Sequence, residues 1–77
     1  MLSGSVLYLY EDGGIGLNEI YVEYISHTDT NITVNISLND GTPKSYTLKY
    51  GEKTSIDGLK NKITITKEEE YFPININ

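Results

Sequence analysis

His27 is the one imidazole in a chain that has no Cys, Arg or Trp, so any general-base chemistry would have to begin there. An imidazole titrates near neutral pH and activates a nucleophile when a carboxylate orients it. Ser26, Asp29 and Glu23 are the candidates along the chain. Sequence adjacency works against them. Ser26 and His27 close an alternating segment, so they are expected on opposite faces of a sheet, with His27 exposed at a strand end. The eleven carboxylates are scattered over turns and polar faces, and no pair stands out as the acid and base of glycoside chemistry. No catalytic residue is nominated, and the chain is read as a non-enzyme.

Phosphate and metal chemistry are equally thin. Gly13-Gly14-Ile15-Gly16 offers backbone amides to an anion, but two acidic residues precede it and no Lys-Ser or Lys-Thr pair follows it directly. A plain hairpin turn is the expectation there. Asp29, Asn31, Thr33 and Asp40 fall at spacings resembling the first, third, fifth and last ligands of a calcium loop. The position that needs glycine for its sharp turn holds Val34 instead. No metal and no cofactor is expected. Asn31-Ile32-Thr33 and Asn35-Ile36-Ser37 match the glycosylation pattern, yet no signal peptide is apparent, so they read as polar-face strand residues.

Charge and tyrosine content say more. Residues 1–43 carry Glu11, Asp12, Glu19, Glu23, Asp29 and Asp40 with no Lys, and all six Lys fall in residues 44–77. The net charge is −5. Nucleic-acid binding draws on clustered cations that displace counterions, so direct nucleic-acid binding is not expected. The same field suits a basic protein surface such as the groove of a nucleic-acid enzyme. Tyrosine is the residue in excess, and it is favoured at protein interfaces because its ring buries area while its hydroxyl stays wet. The expected protein-contact set is Glu11, Asp12, Glu19, Tyr21, Glu23, Asp29 and Tyr71.

These side chains must be positioned by strands. Ile32 to Leu38 alternates strictly, with apolar residues at even positions. Asn39-Asp40-Gly41-Thr42-Pro43 supplies a turn, and Tyr46, Leu48 and Tyr50 alternate beyond it, which predicts a hairpin. Asp57-Gly58 separates Thr54-Ser55-Ile56 from the alternating run Leu59 to Thr66, a second strand pair with Lys60 and Lys62 on its wet face. Residues 17–26 fit a strand better than the short helix that Leu17, Ile20, Tyr21, Tyr24 and Ile25 would also allow, because β-branched and aromatic residues dominate. Val6-Leu7-Tyr8-Leu9-Tyr10 is apolar on both faces, as in a central or interface strand. Phe72, Ile74 and Ile76 alternate around Pro73, which predicts an edge strand.

The whole is expected to be one all-β domain over residues 1–77, an antiparallel sandwich or small barrel of about six short strands. With no disulfide available to so short a chain, a homo-oligomer is expected, formed through Val6, Leu7, Tyr8, Leu9, Tyr10, Phe72, Ile74 and Ile76. The stretch Gly51-Glu52-Lys53-Thr54-Ser55-Ile56-Asp57-Gly58, followed by Ile63-Thr64-Ile65, resembles the Gly-Glu-x-x-x-Ile strand start of the carbon-storage-regulator family of small RNA-binding β dimers. That family contacts RNA through arginines, and this chain has none, so no function crosses with the resemblance.

The first functional expectation is a cytoplasmic protein-interaction module with no membrane association. It would be a small phage or mobile-element protein that binds and inhibits a host protein through its acidic, tyrosine-bearing surface. The alternatives are a homo-oligomer binding a nucleotide or sugar through Lys60 and Lys62, and a structural subunit of the virion type.

Overall fold

Short alternating segments separated by left-handed turn residues make this chain a stack of two sheets. The computed structural model describes residues 4–77, which form eight β-strands: β1 Ser5–Leu9, β2 Gly14–Leu17, β3 Ile20–His27, β4 Asn31–Leu38, β5 Lys44–Lys49, β6 Thr54–Ser55, β7 Lys62–Ile65 and β8 Phe72–Ile76. The first sheet has the order β1-β8-β7-β6 and the second the order β2-β3-β4-β5, each with antiparallel neighbours. Residues 17–26 contain no helix, and no helix among the described residues is long and apolar enough to cross a membrane.

The second sheet is a meander held by local turns. Asn39 and Asp40 are both left-handed, with φ of 53° and 59°, and the Gly41 N–H donates to the Leu38 carbonyl at 2.9 Å. Two successive positive φ values match the twist of the β4 and β5 strands they join. The alternation in each strand then sends one face inward. Ile20, Val22 and Tyr24 of β3, Ile32, Val34 and Ile36 of β4, and Leu48 of β5 meet Leu7 and Leu9 of β1, Ile56, Ile63 and Ile65, and Phe72, Ile74 and Ile76 of β8. No polar side chain is buried among the described residues.

Four expectations are corrected. The first concerns residues 72–76, which form a central strand and not an edge, with β1 on one side and β7 on the other. Pro73 is tolerated because its carbonyl accepts from the Thr66 N–H at 3.0 Å, one residue beyond the end of β7. The donor it lacks would face the Thr66 carbonyl, so the missing bond falls at the very end of the β7 ladder. The second is β1, which is not central but the edge of that sheet, with Leu7 and Leu9 inside the core and Val6, Tyr8 and Tyr10 outside.

The third is the glycine-rich stretch, whose residues 14–17 form β2 and bring the strand count to eight. Gly14 and Gly16 carry no side chain of their own, and the Tyr21 ring from β3 lies over both. A Cβ at Gly14 would collide with the Tyr21 hydroxyl, and one at Gly16 would sit 3.2 Å from Tyr21 Cδ1. The fourth is His27. The register slips between Tyr24 and Ser26, so Ile25 is an extra residue that bulges outward. The slip returns His27 to the core side, three residues after Tyr24, where it is half-buried and not exposed.

Candidate interaction surface

Tyr8, Tyr10 and Tyr71 are far apart in sequence, and the β1–β8 pairing brings them together on the outer face of the first sheet. Tyr8 lies opposite Pro73, which puts Tyr10 level with Tyr71. The Tyr8 and Tyr71 rings meet edge to face with centroids 5.4 Å apart, and Tyr10 tilts against Tyr71 at 5.9 Å. Both geometries suit the ring quadrupole. Tyr8 and Tyr10 remain more than half exposed, and Tyr71 is half-buried between them.

The loop entering β8 surrounds this cluster with carboxylates. The Glu68 N–H donates to the Tyr71 carbonyl at 2.9 Å, folding the loop back on itself. Glu68, Glu69 and Glu70 then line one depression with Tyr10 and Tyr71, and a second with Glu11, His27, Lys67 and Phe72. A third adjoining depression adds Asp29, Tyr50 and Thr66. Lys67 is the one cation lining the three. The single ion pair among the described residues, Lys44 to Asp57 at 3.5 Å, lies at the opposite end beside the Leu38–Gly41 turn. Carboxylates gathered this way, with no cation in ion-pair reach, give that end a concentrated negative potential.

Beneath the acidic loop an aromatic column closes the same end of the sandwich. Phe72 stacks between Tyr24 and Tyr50, at 5.8 and 6.3 Å, and the His27 ring meets its edge at 5.1 Å. His27 Nδ1 and the Tyr24 hydroxyl are hydrogen-bonded at 2.7 Å, and the Tyr50 hydroxyl donates to the Thr28 carbonyl at 2.8 Å. Burial raises the Tyr24 phenol above its ordinary 10.0, with Glu11 and Asp12 adding to the shift. Burial also raises Tyr50, helped by Tyr24 and Asp29. Both rings are thereby held neutral and apolar. The column locks the platform on which Tyr71 and the glutamates stand.

Of the expected contact residues, Glu11, Asp12, Asp29 and Tyr71 belong to this end. Glu19 sits at the other end, in a depression with Tyr21, Asn39 and Asp40. Tyr21 and Glu23 lie on the outer face of β3, so these three stand apart from the cluster. Glu68, Glu69 and Glu70 were absent from the expected set, although a run of three like charges touching a tyrosine was a usable signal. Of the residues expected in self-association, Leu7, Leu9, Phe72, Ile74 and Ile76 are enclosed in the chain's own core, which leaves Val6, Tyr8 and Tyr10 at the surface. Lys62 begins β7 and Lys60 precedes it in the connection, so the two do not share a strand, though both are exposed. No family model, curated protein or solved structure matches the chain.

Proposed function

We propose that this chain is a non-enzymatic protein-interaction module whose acidic, tyrosine-bearing end binds a basic surface on another protein. The observation that carries the reading is the exposed Tyr8–Tyr71–Tyr10 cluster bordered by Glu11, Glu68, Glu69 and Glu70. Tyrosine rings supply contact area with little rotamer entropy to lose, and carboxylates steer and select the partner. An arginine-rich surface answers both features, because a guanidinium stacks on an aromatic face while pairing with a carboxylate. A phosphate backbone meets net repulsion at this end, where Lys67 stands against Glu11, Asp29, Glu68, Glu69 and Glu70. The narrower form of the proposal is an inhibitor, encoded by a phage or other mobile element, that covers the basic groove of a host nucleic-acid enzyme with carboxylates in place of phosphates.

The test is affinity capture from a lysate of the source organism with four baits: wild type, the double reversal Glu68→Lys with Glu70→Lys, Tyr71→Ser, and Glu19→Lys at the opposite end. A stoichiometric protein is expected on wild type and Glu19→Lys, weakened by roughly tenfold or more on the other two baits and released by rising salt. Capture that ignores both the double reversal and Tyr71→Ser would sink the proposal.

A further inference from the structure

We propose that β1 is a self-pairing edge, through which two copies of this chain join by antiparallel β1–β1 addition about a two-fold axis at Leu7. Among the described residues each of the two sheets is open, which leaves β1, β6, β2 and β5 as free edges. Exposed edges invite pairing, and native chains blunt them by shortness or charge. β6 is two residues long, and β2 is four residues with two glycines. β5 is longer, but it begins and ends with the exposed Lys44 and Lys49. β1 has neither protection, since Ser5–Leu9 holds no charge and no glycine.

Hydrogen-bond parity identifies which groups are free. The Thr66 N–H donates to the Pro73 carbonyl and the Asn77 N–H to the Lys62 carbonyl, so residues 73, 75 and 77 turn their backbone groups toward β7. Residues 72, 74 and 76 therefore turn theirs toward β1, where Leu9, Leu7 and Ser5 are their partners. Val6 and Tyr8 are left with N–H and C=O directed away from the sheet. The free stretch ends at Tyr10, whose carbonyl accepts from the Gly13 N–H at 2.9 Å.

These free groups select one register and one occupant. A second β1 laid antiparallel with Leu7 opposite Leu7 places Val6 against Tyr8 of the other copy, and Tyr8 against its Val6. Every unpaired donor and acceptor on the strand is then used once, and the two-fold axis repeats the pair. Val6 and Tyr8 are 42% and 52% exposed on the outer face, and the pairing sets a β-branched side chain beside an aromatic ring. A chain of net charge −5 repels its own copies, so an isologous contact has to avoid the carboxylates, and this uncharged strand does. The two first sheets would become one continuous eight-stranded sheet, carrying both tyrosine clusters on the same face.

Sedimentation equilibrium on the whole chain tests this, with circular dichroism as the check on folding. Wild type is expected at twice its 8.7 kDa mass. Val6→Pro removes a donor that points to solvent in the single copy, and Val6→Lys charges the edge. Each should raise the dissociation constant by roughly tenfold or more, because the change is made on both copies. Thr47→Lys on β5 should leave it unchanged. If Val6→Pro fails to fold, Val6→Lys decides alone. In a mixed-label sample, intersubunit contacts between the Val6 methyls and the Tyr8 ring are expected. A monomeric wild type, a dimer indifferent to Val6→Lys, or a dimer lacking those contacts would overturn the proposal.

Discussion

The two sheets of this molecule are built by opposite routes. The second sheet follows chain order, each strand beside the one before it, and the outer face of β4 and β5 is polar, with Thr33 and Thr47 sharing a hydroxyl hydrogen bond at 2.9 Å and only Tyr21 and Ile25 of β3 adding large exposed apolar groups. The first sheet draws β1 and β8 from opposite ends of the described chain, and its outer face carries the tyrosine cluster and the acidic loop. Local pairing yields a scaffold that repeats its sequence pattern. Distant pairing yields a surface that no single segment contains.

The contrast is most severely tested at β8. Ile74 is 1% exposed, so Ile74→Ala should cost about 2–5 kcal/mol in denaturant unfolding, whereas Ile25→Ala at the exposed bulge of the second sheet should cost no more than about 0.5 kcal/mol. Equal costs would mean that residues 72–76 are a loosely docked tail.

A smaller effect, confined to alkaline pH, comes from the column that joins the sheets. The Tyr24 and Tyr50 phenols are raised in the folded chain, so the stability tied to them is fully present below 10.0 and falls as pH climbs through their raised values. Tyrosinate absorbance recorded alongside unfolding should show these two rings ionising last and together with loss of structure. Ionisation of all seven tyrosines in an intact fold would refute the column's role.

The smallest effect belongs to Lys44 and Asp57, which bridge the two sheets with side chains 62% and 80% exposed. Lys44→Ala should change stability by no more than about 1 kcal/mol in the same unfolding assay, and by less at high salt. A larger loss would show that this pair, and not the shared core, joins the sheets there.

The parts legible in sequence were those whose cause is local. The β4–β5 hairpin declared itself through strict alternation and a left-handed Asn-Asp turn, and β3 through its β-branched and aromatic content. The eluded parts each depend on something distant or on a single slipped residue. β2 was hidden because its glycines take their covering ring from Tyr21 on the neighbouring strand. His27 was assigned to the wrong face because alternation is blind to one bulged residue at Ile25. Pro73 argued for an edge because a missing donor weakens a ladder, yet here the lost bond falls opposite Thr66, where the β7 ladder ends. At the candidate site, Tyr71 could be picked out beside its glutamate run. Its companions Tyr8 and Tyr10 could not, since nothing local says that β1 will lie against β8.

The same β1–β8 pairing governs how the molecule assembles. Ser5 faces Ile76 and Leu9 faces Phe72, contacts that close a loop of almost the whole described chain. Loop entropy delays such contacts, so the meander forms early and β1 docks late. Until it docks, the flank of β8 is vacant, and the β1 of another molecule competes for it in proportion to protein concentration. Refolding this protein is therefore a competition between closure and exchange, and the concentration at which it folds decides the outcome.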